Sequence, residues 1–327
     1  MATYKGIQGY SVQKLSSDPT ASSDTEGQLW YNSASGKFKI AVAGDGTWAS
    51  APACNTARRN AGGLGTATAM LVFGGGPPVL SATEKWNNTS WTTVNSLNQA
   101  RKNILSSAGT TTSGMCVSGH IPPYAPQCEL YDGTSWAETA DVNTARHSGN
   151  SMGAANTAAV FAAGRANGDF SLLTETWNGT SWTEVGDLAT ARRYTAGMGP
   201  ATAALIAGGG ASPGLYNGVE TWNGSSWTVG NTINTARQYL AGSGGSAAQT
   251  ASLIFGGFAP AASALTETYD GSSWSETGDL GTARGGLMGS TVGTTLAAKA
   301  AMGGPPVTAV SEGWTAPVYT VKTVTVS

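Results

Sequence analysis

Charge is scarce in this chain: only 11% of its 327 residues are Asp, Glu, Lys or Arg, against about 25% in an ordinary soluble domain. Long surface helices need Glu, Lys, Leu and Arg at 3.6-residue spacing. Most segments here carry Thr, Ser, Ala, Gly and Trp between turn signals instead, a composition that predicts short strands and tight turns. No block of Lys or Arg stands ready to neutralise a run of phosphates, and the formal net charge is −2. Nucleic acid is therefore not an expected partner. Long apolar runs are missing too. None approaches the roughly 18 residues of a membrane helix, and the opening MATYKGIQGYSVQKLSSD lacks the apolar core of a signal peptide, so no membrane insertion is expected.

Cysteine and histidine are equally sparse. Three cysteines, Cys54, Cys116 and Cys128, are an odd number in a long chain and imply no disulfide framework. They are expected to be buried reduced thiols, with proximity of Cys116 and Cys128 as the alternative. The two histidines, His120 and His147, belong to no His-Xaa-His or His-Glu-Xaa-Xaa-His arrangement, so no metal site and no cofactor is expected. No Gly-Xaa-Ser-Xaa-Gly elbow or Gly-rich phosphate loop ending in Lys-Ser/Thr occurs. Asp169 is the best non-repeating acid on a loop but lacks an evident partner for glycoside hydrolysis. The expectation is a protein that is not an enzyme.

What the chain has in abundance is glycine, 46 residues, and a repeat. An Arg preceded by Ala occurs at Arg58, Arg101, Arg146, Arg192, Arg237 and Arg284, at intervals of 43, 45, 46, 45 and 47. A Glu recurs in step at Glu84, Glu129, Glu175, Glu220, Glu267 and Glu312. An aromatic stands two residues after each Glu, and a Trp follows five residues later at Trp91, Trp136, Trp182, Trp227 and Trp274. Length alone would suggest two domains, but a period of about 45 residues implies one repeat architecture. Each unit reads as four strands, the last two joined by Asn-Gly or Asp-Gly turns such as Asp132-Gly133 and Asn223-Gly224. Four-stranded antiparallel units at this period describe propeller blades.

The Gly-Gly after an apolar strand, the spaced aromatic pair and the Arg opening the next unit resemble kelch repeats over residues 48–327. That resemblance implies an all-β fold, a kelch-like β-propeller with six blades of four antiparallel strands. It says little about function, because kelch propellers serve as enzymes, adaptors and adhesins alike. Some are copper radical oxidases, whose several metal-ligating His and Tyr a chain with two His cannot supply. The sixth unit lacks its last strand, and Trp48 stands ten residues before Arg58, the spacing found in every unit. The N-terminal segment is thus expected to complete the last blade and close the ring. Tyr319 lies five residues after Trp314, so the C-terminal strand can compete for that place, and a seventh blade built from residues 27–50 and the C-terminal strand stays open.

The stretch EGQLWYNSASGKFKIAVAGDGTW resembles a hairpin module of tailed-phage structural proteins, and the repeat style is similar to repeat proteins of marine and cyanobacterial phages. The expected organisation is an extended N-terminal arm at 1–25, a tail-type β-hairpin module at 26–50 that contributes the closing strand, and a propeller at 51–327. The resemblance implies a virion protein, tail fibre or tail-associated, multicopy or homo-oligomeric, whose arm binds other virion proteins and whose propeller face adheres to a host-surface glycan or protein. The alternative is a purely architectural component such as a capsid decoration, neck or fibre-docking protein. An enzyme acting on polysaccharide is the third reading.

Candidate ligand-binding residues follow from blade geometry. The connections entering the first strand and those between the second and third strands open on one face. If the first strand is innermost, Arg58, Arg101, Arg146, Arg192, Arg237 and Arg284 ring the channel mouth. Arg59, Lys102, His147 and Arg193 are their basic neighbours. Such a collar suits carboxylated or sulfated glycans or an acidic peptide; alternatively each Arg pairs with a repeat Glu and maintains the scaffold. Tyr124, Phe170, Tyr216 and Phe258 lie on loops of the same face, where recognition commonly resides. The repeating Trp residues are expected to pack the blades.

Overall fold

The computed structural model describes residues 12–105, 107–122 and 124–325. The fold is all-β: among the described residues the helical elements are two short 3-10 turns, Ser23–Thr25 and Gly245–Ala247. The chain divides into two compact units, Thr47–Thr315 and a smaller one combining residues 1–46 with 316–327.

The larger unit contains six four-stranded antiparallel sheets, each in the order first, second, third and outer strand. Sheet I is Gly62–Gly65, Met70–Phe73, Thr83–Trp86 and Trp91–Val94. Sheet II is Ser107–Thr110, Ser113–Val117, Cys128–Tyr131 and Trp136–Thr139. Sheet III is Asn150–Ala155, Ala158–Ala162, Thr174–Trp177 and Trp182–Glu184. Sheet IV is Ala196–Met198, Ala204–Ala207, Val219–Trp222 and Trp227–Gly230. Sheet V is Ala241–Ser243, Ser252–Phe255, Thr266–Tyr269 and Trp274–Thr277. Sheet VI is Met288–Gly289, Ala297–Gly303, Thr308–Thr315 and, from the start of the chain, Thr47–Ala51.

The periodic residues explain these sheets. The aromatic two residues after each Glu faces the outer-strand Trp across the hairpin: Trp86 opposite Trp91, Tyr131 opposite Trp136, Trp177 opposite Trp182, Trp222 opposite Trp227 and Tyr269 opposite Trp274. Their ring centroids are 4.8–5.5 Å apart. Directly opposed large rings are a favourable cross-strand pair. Trp314 opposite Trp48, at 5.5 Å, makes the sixth such pair, so the strand missing from the sixth unit comes from the N-terminal side, as its spacing predicts. The turns use Asx chemistry: Asp132 Oδ1 accepts hydrogen bonds from the Thr134 and Ser135 amides at 2.7 and 2.8 Å. Outer-strand Trp residues also join sheets. Trp136 Nε1 donates to Thr83 Oγ1 of sheet I, Trp227 Nε1 to Thr174 Oγ1 of sheet III, and Trp48 Nε1 to Thr266 Oγ1 of sheet V.

The first strand of each sheet contacts that of the next, and Met288–Gly289 contacts Gly62–Gly65. These strands are rich in glycine because they approach one another closely. A Cβ at Gly289 would lie 2.5 Å from the Gly242 carbonyl oxygen, and one at Gly63 would lie 2.5 Å from Met288 Cβ. A half-open hollow of about 30 Å³ is lined by residues including Gly63, Asn150, Gly197, Gly242 and Gly289, room for about one water. Cys54, Cys116 and Cys128 are buried and free, and burial raises all three thiol pKa values, to about 12 at Cys116 and Cys128.

The smaller unit differs from the expected arm and hairpin. Leu29–Asn32 and Lys37–Ala43 form the hairpin. Residues 1–11 of the expected arm lie outside the described residues, but Gln13–Leu15 is not a free arm: it pairs in parallel with Trp30–Asn32. The reason is Asp18, whose Oδ1 accepts hydrogen bonds from Trp30 Nε1 at 2.9 Å and Asn32 Nδ2 at 2.6 Å and so ties the preceding segment back. The C-terminal strand Tyr319–Thr323 pairs with Lys37–Ala43 and not within sheet VI. Residues 47–50 thus belong with the repeats and residues 316–325 with the hairpin.

Candidate ligand-binding face

The six repeat arginines are not an exposed collar. Arg58, Arg101, Arg146, Arg192, Arg237 and Arg284 are 0–1% exposed, and each pairs with the Glu of its own sheet. The contacts are 2.5 Å for Arg58–Glu84 and Arg146–Glu175, 2.7 Å for Arg192–Glu220 and 2.6 Å for Arg237–Glu267, with Arg101–Glu129 and Arg284–Glu312 closer still. The guanidinium also donates to carbonyls of the strand ends, Arg58 to Gly74 and Ala82, Arg192 to Gly218, Arg237 to Gly256 and Leu265. Each Glu in turn accepts the backbone N–H three residues before its Arg, at Asn55, Asn98, Asn143, Ala189, Asn234 and Gly281. Burial lowers the pKa of Arg58, Arg146, Arg192 and Arg237, and the partner carboxylates oppose that shift. The Arg and Glu series therefore braces the segment that enters each sheet. It supplies no free charge, and the second of the two sequence readings holds for all six pairs.

The unpaired polar chemistry lies one and two residues further on, at positions that are half-buried or buried. The residue after each Arg bridges to the segment following the second strand: Arg59 to Gly76, Lys102 to His120, His147 to Arg165, Arg193 to Gly210, Gln238 to Phe258 and Gly285 to Gly304. The next residue, Asn60, Asn103, Ser148, Tyr194, Tyr239 or Gly286, has φ between 53° and 62° in every repeat, a left-handed turn suited to Asn and Gly and costly for Tyr. These residues also link repeat to repeat. The Ser148 amide donates to Asn103 O, Tyr194 to Ser148 O, Tyr239 to Tyr194 O, Gly286 to Tyr239 O and Asn60 to Gly286 O, at 2.7–3.0 Å, while Ile104 N donates to Asn60 O at 3.3 Å.

The chain has nine arginines and two histidines. With six arginines committed to buried pairs, the other three, Arg59, Arg165 and Arg193, share these two bridge positions with Lys102, His120 and His147. All six lie in sheets I to IV. Among the described residues the ion pairs are the six repeat pairs, so none of these six side chains has a carboxylate within ion-pair distance. Arg59, Lys102, Arg165 and Arg193 carry standing positive charge, while the lowered pKa values of His120 and His147 leave both imidazoles neutral near pH 7. The Arg193 guanidinium sits over the Phe170 ring at 4.9 Å and the Tyr194 ring at 4.6 Å, with a buried Nε that has no hydrogen-bond partner. Tyr194 and Tyr239 stack with centroids 3.6 Å apart.

Two hollows open at these residues, the second of them lined by the stack. One, of about 510 Å³, is lined by Phe170, Arg193, Gln238, Pro213, Leu215 and Pro260 among others. The other, of about 500 Å³, includes Arg59, Lys102, Asn60, Asn103, Tyr194 and Tyr239. The four loop aromatics expected to bind ligand are all half-buried. Phe170 lines a hollow, and Tyr124 stacks on His147 at 5.2 Å with His120 alongside. Phe258 meets Tyr239 edge-on. Tyr216 covers Arg192 at 5.2 Å with its hydroxyl 3.2 Å from Thr190 Oγ1, so it shields a buried pair.

Burial, followed by the charges of His120, Arg193, Arg165 and Lys102, pushes the His147 imidazole pKa down to about 4. The unfolded imidazole titrates near 6.5. Between those values the unfolded chain takes up a proton that the folded chain refuses, so stability from this residue is complete above pH 6.5 and lost as pH falls towards 4. His147→Gln is expected to flatten the fall in thermal midpoint between about pH 7 and pH 5; an unchanged fall would contradict the assignment. Among the described residues no group of three or more His, Cys, Asp or Glu is placed to hold a metal ion. No protein-family model matches the chain, and no curated protein matches it significantly.

Proposed function

We propose that residues 47–315 form a six-bladed β-propeller closed by the strand Thr47–Ala51, and that the protein is a tail-associated virion protein of a tailed phage whose propeller face adheres to the host surface. The ring is supported by the succession of first-strand contacts, which returns from Met288–Gly289 to Gly62–Gly65, and by the amide–carbonyl chain running from repeat to repeat. The phage assignment rests on the resemblance of residues 26–48 and of the repeats. The adhesive role rests on one observation above all: Arg59, Lys102 and Arg193, none of them in an ion pair among the described residues, line two hollows together with the aromatic rings of Phe170, Tyr194 and Tyr239. A scaffold gains nothing from unpaired like charges, whereas a binding surface does.

The smaller unit suits attachment to other virion subunits. Leu29 and Phe38 are 41% and 46% exposed on neighbouring strands of its sheet, with Val324 at 40% beyond its last strand. Exposed apolar groups on a sheet face mark protein contacts. This observation also favours the architectural alternative, in which the protein docks virion parts without touching a host. The two readings separate on particles and cells. Adhesion predicts that antibody against the protein labels the tail of intact virions and that purified protein binds host cells. Labelling confined to capsid or neck, with no cell binding, would establish the architectural reading instead.

A further inference from the structure

We infer that the cationic face binds an acidic polysaccharide, with successive carboxylate or sulfate groups held in the Arg193 hollow and in the Arg59–Lys102 hollow that the Tyr194–Tyr239 stack lines. This rests on the adhesive reading and specifies its ligand.

The distribution of charge comes first. The bridge positions of the first four repeats carry Arg59, Lys102, His120, His147, Arg165 and Arg193 with Gly76 and Gly210, while those of the last two carry Gln238, Phe258, Gly285 and Gly304. The standing charges, Arg59, Lys102, Arg165 and Arg193, thus fall one to a repeat in four consecutive repeats, with the neutral His120 and His147 between them. An arc of unpaired positive groups fits an extended chain bearing several negative charges better than a single small anion at a symmetric centre. The hollow among the first strands and their flanking residues, with room for about 30 Å³, is too small for a sugar, so the ligand would lie across the face.

The polar and aromatic groups narrow the class. Arg193 is already held between Phe170 and Tyr194, which fixes its guanidinium plane and leaves its donors to seek an oxyanion. Asn60 and Asn103 line one hollow and Gln238 the other, and side-chain amides both donate to and accept from sugar hydroxyls. Nucleic acid would need free ring faces for its bases. Here Tyr194 and Tyr239 cover each other, Arg193 covers Phe170, and His147 covers Tyr124. A neutral glycan would leave the cations unanswered.

The test measures binding of the full chain to alginate oligosaccharides, dextran sulfate, neutral dextran and polyglutamate. Binding to alginate or dextran sulfate that weakens as salt rises, with none to neutral dextran, is expected. Preference between the two acidic polymers distinguishes carboxylate from sulfate. Arg193→Ala and Lys102→Ala should each weaken binding about tenfold with the thermal midpoint unchanged, while Lys85→Ala on sheet I should bind as the parent does. Polyglutamate bound as tightly as the glycans, or acidic glycans not bound at all, overturns the saccharide assignment. Host-cell adhesion of the same variants keeps the two claims apart. Adhesion that depends on Arg193 without any acidic-glycan binding leaves the adhesive face standing and removes its ligand. Absence of adhesion by the parent chain removes the adhesive reading itself.

Discussion

Arg192→Ala is expected to cost about 3–5 kcal/mol of stability, the scale for breaking one side of a buried ion pair. Glu220 is 1% exposed, and with Arg192 removed the Ala189 amide at 2.8 Å is its remaining hydrogen-bond donor. The variant also strips the Gly218 carbonyl of the 2.8 Å donation from Arg192 Nη1. The effect is not the worth of the pair but the cost of a buried carboxylate without its counter-charge. A double variant, Arg192→Met with Glu220→Leu, removes both charges and should recover part of the loss. Full recovery is not expected, because the Ala189 N–H then loses its partner, at about 1–3 kcal/mol, and the Gly218 C=O keeps only the Gly208 N–H at 3.0 Å. That dependence of the entering backbone on the pair explains why a polar brace is used where an apolar one would fill the space. Urea unfolding measures the series; a loss under about 1 kcal/mol for Arg192→Ala would mean that the pair is not the brace described.

Trp48→Ala is the second large effect, expected at about 3–5 kcal/mol. Trp48 packs against Phe255 at 4.8 Å and Trp314 at 5.5 Å and donates to Thr266 Oγ1 at 3.0 Å. It therefore joins the outer strand of sheet VI to sheet V. The same strand pairs from Thr47 to Ala51 with the third strand of sheet VI, so residues more than 250 positions apart in sequence are held as neighbours, Trp48 and Trp314 among them. Loss of this strand would leave the edge of Thr308–Thr315 unpaired. Wild-type urea stability in Trp48→Ala would show that the strand does not close the unit.

Much of the scaffold is legible in the sequence because its physics repeats. The opposed aromatics, the Asx turns and the Arg with its Glu are each required once per sheet, so they recur once per unit, and the ten-residue step from Trp48 to Arg58 reveals the strand that arrives from the other end. Non-periodic contacts hide. Nothing near Gln13–Leu15 marks a parallel strand, since its partner is selected by Asp18 reaching Trp30 and Asn32. Tyr319–Thr323 reads equally well as a sixth-unit strand, and its pairing with Lys37–Ala43 depends on Thr47–Ala51 already occupying sheet VI.

The site is partly legible for the same reason. A recurring Arg announces a structural job, but its charge suggests a surface one; the recurring Glu is the signal that decides between them. The arc proposed to bind ligand sits at the next residue, where Arg, Lys, His, Arg, Gln and Gly succeed one another without a period. Left-handed turns two residues after the Arg can be anticipated at Asn60, Asn103 and Gly286 from residue preference, but not at Ser148, Tyr194 or Tyr239. The Tyr194–Tyr239 stack arises from that unexpected turn, one sheet apart, and only the folded chain brings the rings together.

Adjacent residues Arg192 and Arg193 put the account to its most direct test, because one is assigned to the scaffold and the other to the ligand. Thermal midpoint and dextran sulfate or alginate affinity, measured on Arg192→Ala and Arg193→Ala side by side, should dissociate. Arg192→Ala is predicted to lower the midpoint and, below its unfolding temperature, to bind as the parent chain does. Arg193→Ala is predicted to keep the midpoint and lose about tenfold in affinity. An Arg193→Ala protein that is destabilised yet binds normally, or an Arg192→Ala protein that is as stable as the parent and binds poorly, would contradict the division of labour on which the account rests.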